Sequence, residues 1–496
     1  MRAVIKTAVV MSLFFASSAA LAAGIEFPDN GTIATGRGGA WAANPSDGMA
    51  FQYNPAGLAQ QTGLRLDLGG RFSMLNMTFD STDIPTGPID RTGGGYLAPA
   101  ATISYGLGKL GPLSGLTVAL GATGPSSIGH NEFPEAGAQR YALQESNYFI
   151  AYYALGLAAK YGDLVALGVT AQAVHGTAKF SQTVWTGSSP GTDPGDDAGA
   201  VIDVASGFIP TGVIGLTVTP IKGLAIGASF RPRIDFVAAG TLTAAFSDFA
   251  TRAGAQQIGD EAELVLKFPD VYRVGVSYAI YSLFEAEIDF VWERWSVLET
   301  IEIQTKNIKL ALPNIGTEKN LEDIVFQKDF VDAGSIRIGG DYHVLPERLT
   351  MRAGYLYETS AIPLNSTSVD FPNWGRHAVS VGASVALFGV WLDLAYAHHF
   401  IPSRTVTNSQ VVQVVAPCLT TTTCTDTTPT VVGNGHYTAS IDVIGISIRI
   451  PFDTLTSEVF AAPSSSTVAV AETTPAEPPA EVAETTPAND EPRAQP

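Results

Sequence analysis

The sequence predicts an all-β fold: an antiparallel transmembrane β-barrel of about fourteen strands. Three observations carry that expectation. Only 15% of the 496 residues are charged, yet nowhere past the N-terminus do about 18 uninterrupted apolar residues occur, so no membrane-spanning helix is expected. Segments of about ten to fifteen residues alternate apolar and polar positions, and a period of two places successive side chains on opposite faces of a sheet. The connectors alternate short and long, as in bacterial outer-membrane barrels with short periplasmic turns and longer extracellular loops.

In chain order, Arg2 and Lys6 precede an apolar stretch from Ala8 to Ala16 and the small residues Ala20-Leu21-Ala22-Ala23. That is the pattern of a secretory signal peptide over residues 1–23. Residues 24–60 hold Gly36-Arg37-Gly38-Gly39-Ala40-Trp41 and Phe51-Gln52-Tyr53-Asn54-Pro55-Ala56-Gly57-Leu58. This small, glycine-rich composition suits a compact irregular segment packed inside something larger, although Asn-Pro is also a common turn dipeptide.

The barrel is expected over 61–452. Its clearest strand is Phe284 to Trp292, with Phe284, Ala286, Ile288, Phe290 and Trp292 on one face and Glu285, Glu287, Asp289 and Glu293 on the other. Carboxylates carry a cost facing lipid, so this face is expected to look into a polar lumen. The same division sets Ile336, Ile338 and Tyr342 against Arg337 and Asp341, and Leu392, Leu394 and Tyr396 against Asp393 and His399. Tyr281, Trp292 and Trp295 suit interfacial aromatic girdles. Between Ala439-Ile441-Val443 and Ile444-Ile446-Ile448 the apolar phase slips by one residue, which predicts a β-bulge. Long loops are expected around 79–95, 126–145, 179–209, 247–260, 311–332, 360–373 and 402–436. After Phe452, residues 453–496 turn to Ala, Pro, Glu and Thr, a composition expected to stay disordered.

The formal net charge of −19 excludes a basic nucleic-acid surface. Cys418 and Cys424, the two cysteines, are expected to form a local disulfide in an exported chain; half of a metal site is the alternative, but no neighbouring His or Cys completes four ligands. Asp193, Asp196 and Asp197 match no EF-hand spacing. No G-x-S-x-G elbow is present, and the adjacent pair His398-His399 points its rings to opposite faces of a strand, so neither an enzyme, a metal site nor a cofactor is expected.

The glycine-rich element followed by Asn54-Pro55-Ala56-Gly57-Leu58 resembles the N-terminal hatch of the FadL family of outer-membrane transporters for long-chain fatty acids and related hydrophobic compounds. Further likenesses follow in order: Arg140-Tyr141 before a long strand, Phe230-Arg231-Pro232-Arg233-Ile234, Leu266-Lys267-Phe268-Pro269-Asp270, Trp292-Glu293-Arg294-Trp295-Ser296, and Met351-Arg352-Ala353-Gly354-Tyr355. The resemblance implies a fourteen-stranded barrel in the bacterial outer membrane, built by the barrel assembly machinery, contacting outer-membrane lipid and acting as a monomer without cofactor. It implies a hatch containing Gly36, Arg37, Gly38, Asn54, Pro55 and Ala56, and a kink in the third strand, Leu116 to Thr123, that opens the wall laterally at Gly121, Gly124 and Pro125. A Gly-Pro that merely begins the next loop is the alternative to that kink. Arg140 is the candidate partner for a ligand carboxylate, with Phe133, Tyr141 and Phe149 as apolar contacts. A monoaromatic hydrocarbon transporter of the same family, a diffusive porin and a purely structural barrel are the competing readings.

Overall fold

The computed structural model describes residues 30–124, 129–185, 197–280, 283–417 and 429–453. Signal peptide, Pro125, Asp193, Asp196, Tyr281, Cys418, Cys424 and the tail after Asp453 lie outside the described residues.

Fourteen antiparallel strands close into a ring. They are β1 (Gly63–Ser81), β2 (Tyr96–Gly106), β3 (Gly115–Thr123), β4 (Glu145–Tyr161) and β5 (Val165–Trp185). Then come β6 (Asp197–Ser206 and Ile209–Ile221), β7 (Leu224–Arg231 and Ile234–Ala245), β8 (Glu261–Phe268 and Val271–Ile280) and β9 (Phe284–Glu293, resuming at Thr300–Lys306). β10 (Ala333–Leu345), β11 (Leu349–Glu358), β12 (Arg376–Leu387), β13 (Val390–Val406) and β14 (Gly435–Pro451) complete the ring. β14 pairs with β1 in unbroken register from Pro451↔Arg65 to Gly435↔Ser81, which removes the free edges of an open sheet.

The side-chain division follows the sequence pattern. Ile288, Phe290, Ile338 and Leu394 are exposed on the outer face, whereas Glu287, Asp289, Arg337 and Asp393 are buried inside. A lipid-facing exterior and a charged interior are what an outer-membrane barrel requires.

Three expectations are corrected. No bulge interrupts β14 against β1 at Val443-Ile444: Ile441 and Val443 are buried inside and Ile444 and Ile446 lie outside, so the apolar phase changes because the lumen itself is apolar at that level. Trp295 is fully buried, donating its Nε1–H to Glu293 at 2.7 Å and meeting Phe330 edge-on, so it belongs to the interior and not to a girdle. The stretch 179–209 is mostly strand, because β5 continues to Trp185 and β6 begins at Asp197, the two pairing from Thr177↔Ala205 to Trp185↔Asp197.

Residues 30–60 fold inside the ring, towards the end with the short turns. Helix α1 (Thr32–Gly36), helix α2 (Ala50–Tyr53) and a 3-10 turn over Pro55–Gln60 make up its regular parts. Gly38 takes φ +65°, and a Cβ there would lie 2.8 Å from the Tyr355 backbone nitrogen, so glycine is needed both for the left-handed turn and for the approach to the wall. Gly354 answers it from β11, where a Cβ would meet the Arg37 carbonyl carbon at 2.0 Å.

Candidate functional site

The lumen has two differently built levels. At the short-turn level the acidic face of β9 meets the hatch. Arg37 lies 2.8 Å from Glu287, 3.3 Å from Glu285 and 3.1 Å from Asp341, with its guanidinium 4.7 Å over the Trp41 ring. Burial works against the Arg37 charge, but Asp341, Glu287 and Glu285 outweigh it and hold its pKa above the ordinary arginine value.

The hatch backbone is held by the same stripe. Asp289 accepts the N–H groups of Trp41 and Ala42, each at 2.8 Å, and Glu287 accepts that of Ala43 at 2.7 Å. Because these donors lie in irregular backbone, the carboxylates stand in for the helix or sheet partners it lacks. Asn54 donates to Ala42 O at 2.8 Å and to Leu216 O of β6 at 3.1 Å, while its own Oδ1 caps the turn at Ala56 N. Gly36, Arg37, Gly38, Asn54, Pro55 and Ala56 are all buried against the wall. Further pairs, Arg352–Asp341, Arg376–Glu358 and Arg449–Asp393, continue the charge network around the lumen.

At the long-loop level the interior is hydrocarbon. An apolar cavity there is lined by Ile150, Phe180, Phe236, Leu264, Phe268 and Phe371, among others. Lys328 is the one cation among its described lining residues. Its ammonium pairs with Asp370 and stands 5.1 Å from the Phe371 ring centroid. Lys328 and Phe326 also line a larger groove between residues 319–328 and 410–417, which opens among the long loops. Groove and cavity therefore meet at Lys328.

The residues expected to contact a ligand are dispersed. Arg140 is buried and satisfied by Asp197 at 2.7 Å, and Tyr141 donates its hydroxyl to the same carboxylate at 2.7 Å; burial, then Asp197, pushes the Tyr141 phenol up. Phe133 and Tyr141 belong to the apolar core beside the cavity but not to its lining. Phe149 projects outward and is 40% exposed; alternation along β4 gives the lining positions to its neighbours Tyr148 and Ile150.

The third strand stops at Thr123, and Gly124 follows it directly. Pairing with β4 is next described at His130↔Asn147, with the Tyr148 N–H donating to Gly129 O at 2.6 Å; residues 125–128 between them lie outside the described residues. Gly121 remains within β3, packed on Phe51 of the hatch.

Sequence reasoning missed Lys328, Asp370 and Phe371, which sit in long loops without periodicity. The two Pro-containing motifs prove to be one feature. Pro232-Arg233 and Pro269-Asp270 face each other between Arg231↔Val271 and Ile234↔Phe268, bending β7 and β8 together. Asp270 fixes the bend by accepting the Arg233 N–H at 2.9 Å.

Residues 13–452 match the family described as outer membrane protein transport protein (OMPP1/FadL/TodX). No curated protein sequence matched. Among solved structures, a FadL homologue of Pseudomonas aeruginosa is 16% identical with a TM-score of 0.69, over 87% of this chain and 100% of that one. The toluene transporter TbuX of Ralstonia pickettii is 16% identical with a TM-score of 0.58, over 86% and 99%. The toluene transporter TodX of P. putida is 14% identical with a TM-score of 0.60, over 86% and 99%. At these identities the likeness establishes a shared fold.

Proposed function

Because the chain belongs to the OMPP1/FadL/TodX family of outer membrane transport proteins, we propose that it takes up long-chain fatty acids or similarly shaped hydrophobic compounds. The ligand enters the groove among the long loops, settles in the cavity, and leaves after the hatch moves and the wall opens beside Gly124. The observation that carries this reading is an apolar cavity with one cation at its mouth. Each methylene buried there contributes about 0.8 kcal/mol, so a long acyl chain supplies most of the affinity. Lys328 replaces Arg140 as the residue that meets a carboxylate, since Lys328 lines the cavity and Arg140 does not. The same reading takes the barrel as a monomer inserted by the barrel assembly machinery.

A second reading rests on Asp370. It already neutralises Lys328, and a neutral monoaromatic hydrocarbon, the cargo named for TodX and TbuX, needs no cation. Uptake of labelled oleate and labelled toluene by a transport-deficient bacterium separates the two. Oleate uptake that falls about tenfold in Lys328→Ala, roughly 1.4 kcal/mol, supports the fatty-acid reading. Toluene uptake alone, unchanged in Lys328→Ala, supports the second. If neither compound enters faster than in the empty strain, both fail and a structural barrel remains.

A further inference from the structure

On the other side of the β4–β5 pair the ladder between β6 and β7 is interrupted. β6 and β7 pair from Leu224↔Ile221 to Phe230↔Ile214, and again from Ala238↔Ser206 to Ala245↔Gly199. Between these ladders, residues 207–213 of β6 and 231–237 of β7 do not pair with each other. β6 keeps β5 on its far side, Val174↔Ile209 to Val165↔Val218, and β7 keeps β8. The bend at Pro232-Arg233 thus separates β7 from β6 and from no other strand.

Side chains close this seam where backbone hydrogen bonds do not. Arg231 reaches past β6 to the Tyr152 hydroxyl on β4 at 3.3 Å. The Phe236 ring lies against Gly176 of β5, where a Cβ would meet it at 2.7 Å, and the same ring lines the apolar cavity. Outside, Phe208 is 70% exposed and meets Tyr153 and His175. A ladder carries a concerted cost to open, whereas this seam is held by a few side-chain contacts. Backbone groups without a ladder partner also disfavour a seal against hydrocarbon.

We infer that the β6–β7 seam is a second lateral portal, gated by Phe236, through which an uncharged hydrophobic molecule passes between cavity and bilayer. This rests on the cavity being the ligand site of the proposed function, but its test does not require transport. In liposomes containing the full chain, with Cys418 and Cys424 replaced by Ser, a bilayer-dissolved diazirine hydrocarbon is photolysed and labelling of Leu264 and Phe268 is measured. Thr211→Cys and Arg233→Cys are then joined across the seam with a bis-maleimide.

Bridging is expected to lower cavity labelling at least fivefold, and Phe236→Ala to raise it at least threefold without the bridge. A matched bridge between Tyr342→Cys and Met351→Cys, on paired β10 and β11, is expected to change nothing. Cavity labelling that is absent, or that persists undiminished with the seam bridged, overturns the portal. Oleate or toluene binding in detergent reports separately on the cavity as a ligand site.

Discussion

The two levels of the lumen solve opposite problems with the same wall. At the short-turn level, buried arginine and carboxylates fix an irregular segment that has almost no regular structure to hold it, and Arg37 alone faces three acids. At the long-loop level the inward positions turn to Phe, Ile and Leu, and the one ion pair of the cavity sits at its mouth. Closure depends on directional charge contacts, which either form or fail as a set. Binding depends on apolar area, which tolerates many ligand shapes. On the proposed function, one level holds the exit shut and the other accepts the hydrophobic cargo.

Breaking the charged level is expected to have the largest effect. Arg37→Ala takes the buried cation from Glu285 and Glu287 and leaves Asp341 with Arg352 alone, and loss of one partner from a buried pair costs about 3–5 kcal/mol. Backbone amides of residues 36–43 should lose hydrogen-exchange protection while the barrel strands keep theirs. Asp289→Ala removes the acceptor shared by Trp41 and Ala42, at about 1.5–3 kcal/mol for a charged hydrogen bond, and should loosen the same amides less.

At the apolar level the effect moves from stability to binding. Leu264→Trp fills cavity space, and ligand affinity measured calorimetrically should fall at least tenfold with hatch protection unchanged. Phe149→Ala is expected to do least: on the outer face it should shift stability within about 0.5 kcal/mol and leave ligand affinity unchanged. A large loss of affinity there would return Phe149 to the ligand site.

How much of this was legible in the sequence depends on periodicity. Fourteen strands, their inward charges and the hatch follow from alternation, connector length and the run around Arg37, because a sheet writes its two faces into every second residue. Arg37 and the β9 acids were each visible, but not their pairing, since contacts across about 250 positions leave no local trace. The cavity was the least legible part. Lys328, Asp370 and Phe371 come from loops without period, and nothing local in the sequence shows that Arg140 pairs with Asp197 outside the cavity lining. The apolar slip in β14 misled for a related reason: a lumen that is polar at one level and apolar at the next mimics a change of register.

The most direct test is to locate a long-chain fatty acid brominated at its terminal methyl, by anomalous scattering from crystals of the full chain. The account predicts the bromine inside the cavity bounded by Phe180, Phe236 and Phe268, with the carboxylate towards Lys328. Bromine found only in the outer detergent belt, with the cavity vacant at saturating ligand, would contradict it.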